Sequence, residues 1–86
     1  MNMYKNVADK KYDIEIPYTK ETRLAYNEEE SRIYDLFMKD CITYAIEQGV
    51  PAQYAQKIVS KAYQDGHAYG YSEIVTHLEG LIEIFN

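Results

Sequence analysis

The sequence predicts a mainly α fold: a small bundle of two to three helices preceded by an N-terminal strand, hairpin or extended arm. Three observations carry this prediction. Apolar residues recur at helical spacing through most of residues 28–85, two glycines four apart interrupt the last such stretch, and residues 12–18 alternate with period two. With 86 residues there is room for one domain, divided here into an N-terminal part (1–27) and a helical part (28–86). Its hydrophobic share of 47% is that of a folded chain rather than a disordered one.

Residues 1–10 show no clear period. From about Lys11 to Tyr18, Tyr12, Ile14, Ile16 and Tyr18 alternate with Asp13, Glu15 and Pro17. Period two with β-branched and aromatic residues on one side reads as a strand, and Pro17, lacking an N–H, places it at an edge or a strand end. A lone strand needs a mate. Thr22, Leu24 and Tyr26 also alternate, so a short hairpin turning at Thr19–Glu21 is one solution. An extended arm over the helices and pairing with a second chain are the others.

The first helix is expected from Glu28 to about Gln48. Asn27 is a suitable N-cap, Glu30 its capping-box partner, and Glu28, Glu29 and Glu30 suit the positive end of a helix. Gly49 ends it and Val50-Pro51 opens the next. Its apolar residues, including Ile33, Tyr34, Phe37, Met38, Cys41 and Ile42, cover more than half the circumference. A surface helix needs an apolar stripe of only ~100° or a little more. This helix is therefore central, or it also touches another molecule.

The stretch from Pro51 to Phe85 has the clearest period. Pro51 suits a first helical position. Tyr54, Ala55, Ile58, Val59, Ala62 and Tyr63 share one face, and Ile74, Val75, Leu78, Leu81, Ile82 and Phe85 share another. Between them, Gly66 and Gly70 allow two readings. In one, Gly66 is a left-handed cap and Ser72 caps the next helix. In the other, a helix of about 35 residues, some 50 Å long, runs unbroken. Helices of that length are uncommon in globular domains, so a break is favoured.

Charge and composition bound the function. The net charge is −5, and every Lys and Arg lies within residues 1–61. The chain beyond Ala62 carries Asp65, Glu73, Glu79 and Glu83 with no basic residue except His67 and His77. Such a surface argues against nucleic acid, whose phosphates need Lys or Arg, and suits a protein partner with a basic surface. The plainer reading is a solvated helix face. Ten tyrosines accompany no Trp and two Phe. Tyrosine is enriched in interface cores, but it also fills small cores whose rim is wet. One cysteine, Cys41, makes no internal disulfide and fits a reducing compartment. With no leader pattern and no apolar run near twenty residues, a cytoplasmic location is expected and no membrane association.

No catalytic signature is present. Glu73 and His77 stand at i, i+4, but a metal site would also need Asp65 and His67 from across the glycine joint. Cys41 lies on an apolar face, where a thiol behaves as a small hydrophobe. Gly66-x-x-x-Gly70 follows no strand and precedes no Gly-Lys pair, so it is not a phosphate loop. No metal, cofactor or catalytic residue is expected, and the chain reads as non-enzymatic.

The cluster Tyr63-x-x-Gly66-His67-Ala68-x-Gly70-Tyr71-x-Glu73-Ile74, running into an apolar helix that ends at Phe85, resembles a segment of small uncharacterised proteins of tailed bacteriophages. The small, acidic, tyrosine-rich character is also similar to that of phage early proteins that bind and block host enzymes. The resemblance implies a protein that binds and inhibits a host protein in the host cytoplasm. On the residues themselves, the expected partner-binding set is Tyr63, Asp65, His67, Tyr69, Tyr71, Glu73, Glu79 and Glu83. The alternative is a self-associating structural protein, a homodimer or larger, that buries Tyr34, Met38, Ile42, Leu78, Leu81 and Phe85 against a second copy.

Overall fold

The structure, a computed structural model, describes residues 12–85. Three helices follow one another: α1 (Arg23–Glu47), α2 (Ala52–Gly66) and α3 (Tyr71–Phe85), with a single 3-10 turn (His67–Tyr69) between the last two. Residues 1–11 and Asn86 lie outside the described part, and so does the first residue of the expected strand.

The strand is not formed. Tyr12 to Thr22 is irregular chain, and among the described residues there is no strand. The hairpin is excluded as well, since Leu24 and Tyr26 are helical. The alternation nevertheless has a physical meaning. Tyr12 is buried and Ile14 and Ile16 are half-buried, while Asp13, Glu15 and Pro17 are exposed. Alternate side chains point down onto the helices with no neighbouring strand to pair with.

α1 begins at Arg23, one turn earlier than Asn27 and Glu30 indicate. Thr19 and Thr22 form the entry turn: the Thr22 N–H donates to Thr19 Oγ1 at 3.2 Å, and the Thr19 N–H to Thr22 Oγ1 at 2.9 Å. The Thr22 hydroxyl also binds the Pro17 carbonyl. Tyr26 packs edge-on against Tyr18, with ring centroids 5.0 Å apart. That contact holds the extra turn, which local sequence alone does not reveal. α1 ends as expected. Gly49 has φ 104°, its N–H reaches the Ile46 carbonyl at 3.0 Å, and the Val50 N–H reaches Ala45 at 3.0 Å. This is a Schellman close with buried Val50 as its apolar anchor. Pro51 sits one residue outside α2 as its N-cap, and its carbonyl accepts from Tyr54 and Ala55.

The break between α2 and α3 is present, but its residues differ from the expectation. Gly66 ends α2 with φ −115°, and the positive φ of 106° belongs to Gly70. α3 starts at Tyr71, so Ser72 is inside the helix rather than its cap. Gly66 is glycine for a different reason. A Cβ there would stand 2.8 Å from the Ile74 backbone N and 2.9 Å from the Glu73 carbonyl carbon, so the return of α3 requires the missing side chain.

The core follows from these joints. α2 buries the small residues Ala55, Val59 and Ala62 against Ile74, Val75, Leu78 and Ile82 of α3. The two helices form a close antiparallel hairpin. α1 lays Ile33, Phe37, Cys41 and Ala45 across it. Phe37 meets Tyr71 at 4.4 Å between ring centroids, and the Tyr44 hydroxyl donates to Glu79 Oε1 at 3.2 Å, so α1 and α3 run parallel. At 25 residues α1 is much longer than its 15-residue partners. Its first turns therefore pass beyond the hairpin, and the molecule extends 47 × 23 × 20 Å. Residues 12–22 run back along that overhang from Tyr12, whose hydroxyl donates to Asp40 at 2.6 Å, to Tyr18 beside Tyr26. Among the described residues, no helix is long and apolar enough to cross a membrane.

Candidate functional site, an aromatic groove at the joint

Where α1 passes the joint between α2 and α3, it leaves a groove of about 420 Å³. The α1 wall is Glu30, Ser31 and Tyr34, and the other wall is Tyr63, His67, Gly70, Tyr71 and Ile74. Each wall has a local cause. Glu30 and Tyr34 are i, i+4 on α1, and Tyr63 and His67 are i, i+4 across the end of α2, so each pair shares a face. Tyr71 opens α3 directly after Gly70 has turned the chain.

The aromatic geometry is ordered. Tyr34 and Tyr63 meet at 85° with centroids 5.1 Å apart. Tyr63 and His67 stack at 12° and 5.2 Å. His67 Nδ1 lies 3.2 Å from the Tyr63 carbonyl and 3.3 Å from that of Gln64. Carbonyls accept, so Nδ1 carries the hydrogen and Nε2 is left as an acceptor. Tyr71 is half-buried and anchored from behind by Phe37 and Tyr12. Burial, reinforced by the neighbouring Tyr63, Glu30 and Tyr26, pushes its phenol above the ordinary range. Among the described residues Glu30 has no ion-pair partner, whereas its neighbour Glu29 is paired with Arg32. That pairing holds the Glu29 carboxyl below its usual range.

The structure separates the residues singled out in the sequence. Tyr63, His67 and Tyr71 come together in the groove, with Tyr69 on the adjoining turn at 80% exposure. The acidic residues lie elsewhere. Asp65 is paired with Lys61 at 3.4 Å, Glu73 stands 3.9 Å from His77, Glu79 accepts from Tyr44, and Glu83 is exposed. Tyr34, expected on a self-association face, is a wall of the groove. Leu78 cannot serve such a face, because it is fully buried within the chain's own core. Met38, Ile42 and Leu81 are half-buried against that core, and Phe85 leans on Tyr54 with centroids 5.5 Å apart. The sequence points to Glu30 only as a capping residue and gives Ser31 no role; their place in the groove depends on which surface α1 lies across.

Cys41 is buried, and desolvation, with Asp40 adding to it, pushes its thiol up to about 12. Asp65, His67, Glu73 and His77 do not gather: among the described residues no three His, Cys, Asp or Glu side chains come close enough to hold a metal ion together.

A family model described as a family of unknown function, DUF8546, matches residues 2–86. The chain belongs to this family. No curated protein and no solved structure matches it.

Proposed function

We propose that this protein is a non-enzymatic binding module that docks a basic protein surface through the joint between α2 and α3. One observation carries the reading: exposed Tyr34 and Tyr69 and half-buried Tyr63 are gathered at that joint, next to a stretch of chain that has no Lys or Arg after Lys61. Exposed, rigid aromatics suit the desolvated centre of an interface. The Glu30 carboxylate in the groove, with Asp65 and Glu73 beside the joint, speeds and orients the approach of a cationic partner. The resemblance of the segment 63–74 to small phage proteins makes the specific form of the reading a phage protein that binds and inhibits a host protein.

The test is affinity capture with the tagged full chain from lysate, in low and high salt. The expected result is one stoichiometric protein, lost at high salt and lost when Asp65 and Glu73, which flank the joint, are both changed to Lys. Capture that ignores salt and charge reversal, or no capture, would overturn the reading. A second reading rests on a different observation. Ile84 is 83% exposed, beside Phe85 and near Tyr54, which are also exposed. This apolar corner supports self-association as the alternative. Light scattering decides it: a dimer that becomes monomeric on Ile84→Glu would favour assembly.

A further inference from the structure

We propose that the aromatic groove is a receptor for an arginine side chain of the protein partner. The inference rests on the binding-module reading and names the anchor it would use.

The lining settles the charge of the ligand. It offers acceptors only from its charged and imidazole groups, the Glu30 carboxylate and His67 Nε2, and it contains no Lys or Arg. An anion would find no counter-charge. A purely apolar side chain would desolvate a carboxylate that has no other ion-pair partner among the described residues, at a cost nothing repays. A cation meets the opposite situation. Aromatic faces are electron-rich and attract cations within about 6 Å of the ring centroid. Tyr34 and Tyr63, nearly perpendicular at 5.1 Å, form an aromatic corner, His67 covers one face of Tyr63, and Tyr71 completes the lining. Glu30 supplies the formal charge.

The shape selects guanidinium over ammonium. A guanidinium is planar, stacks on a ring face and gives two parallel N–H groups to one carboxylate, whereas an ammonium does neither. The groove is partly open to solvent, so a side chain can enter from a protein surface while its backbone stays outside.

The test titrates the isotopically labelled full chain with N-acetyl-arginine methylamide and follows the tyrosine ring resonances by NMR. The neutral citrulline counterpart and the lysine counterpart are run in parallel. Saturating shifts of Tyr34, Tyr63 and Tyr71 are expected with arginine, with both counterparts at least about tenfold weaker. Glu30→Gln is expected to weaken arginine binding about tenfold, and Tyr34→Ala to weaken it as well. Both positions are exposed, and an unchanged amide spectrum outside the groove confirms that each variant is folded. Equal binding of arginine and citrulline, equal binding of lysine, shifts centred on Glu73 and Glu83, or an unaffected Glu30→Gln would each overturn the proposal. If a partner is captured equally by wild type and Glu30→Gln while arginine does not saturate, the groove assignment falls and the binding-module reading stands. Arginine saturation without any captured partner overturns the module reading and, with it, the protein source of the arginine.

Discussion

The α2–α3 hairpin and the overhanging first half of α1 are covered by different chemistry. In the hairpin, small residues on one helix receive large aliphatic ones from the other, and Gly66 lets the backbones nearly touch. Along α1, the cover is irregular chain whose grip comes from tyrosines: Tyr12 on Phe37 and Asp40 beside the core, and Tyr18 on Tyr26 on the overhang. Aliphatic interdigitation registers even small changes of volume. Tyrosine cover needs its hydroxyl bonds and leaves ring edges at the surface. The hairpin is thus the rigid half, and the groove opens where the two kinds of packing meet. Substitutions can break or sharpen this contrast.

The largest effect is expected at Leu78, which is fully buried where all three helices meet. Leu78→Ala should cost about 2–5 kcal/mol in urea unfolding. Leu81, half-buried on the same helix, should cost less. Equal losses would mean that full burial at Leu78 adds nothing over the half-buried position of Leu81.

Gly66→Ala comes next. The added methyl meets backbone atoms of Glu73 and Ile74 rather than a side chain that could move aside. Overpacking of this kind costs about 1–3 kcal/mol, despite the ordinary gain of Ala over Gly in a helix. A stabilised variant would show that α3 can shift away from α2.

The helices, their stops and the core of the hairpin were legible because aliphatic periodicity reports burial directly. Ala55, Val59, Ala62 and then Ile74, Val75, Leu78 occupy the expected faces. The N-terminal alternation leaves strand, hairpin and extended arm open because period two reports which side chains face inward, not whether the backbone pairs. Tyr12, Ile14 and Ile16 do face inward, without a strand. The start of α1 is not legible from Asn27 and Glu30, because the Thr19–Thr22 turn and the Tyr18–Tyr26 contact accompany an earlier start at Arg23. Half of the groove could be read: Tyr63, His67 and Tyr71 stand within nine residues of one another. The α1 wall could not, since Glu30 and Tyr34 join them only through packing of helices distant in sequence.

The tyrosine-covered half should show itself at high pH. Tyr12 has its phenol pushed up by burial first, then by its bond to Asp40, and Cys41 beside it is raised to about 12. For both groups the unfolded chain loses its proton first. Stability is therefore complete below the ordinary thiol value of 9.0 and falls as pH rises above it. The slope should approach about 1.4 kcal/mol per pH unit for each group that ionises only on unfolding. Urea midpoints measured from pH 7 to 11 check this. Tyr12→Phe should cost about 1 kcal/mol at neutral pH and flatten the alkaline decline. A decline that is the same in both proteins would place the sensitivity elsewhere.

The last comparison separates Gly70 from Gly80. Gly70 has open space around its Cα but a φ of 106° and a ψ of 175°, a region that side chains other than glycine rarely enter. Gly70→Ala should therefore cost about 1–3 kcal/mol from backbone strain alone, although nothing would clash. Gly80 also has open space, but it sits in the middle of α3 with ordinary helical backbone. Gly80→Ala should stabilise by about 1 kcal/mol, since the only change is less freedom for the unfolded chain and better helix propensity. Thermal melts of the two variants read the difference directly. Opposite signs at two equally uncrowded glycines would show that the joint at Gly70 is set by backbone conformation. A neutral Gly70→Ala would mean that the turn leading into Tyr71 has another conformation open to it, and that the wall of the groove opposite Tyr34 is not held in place by Gly70.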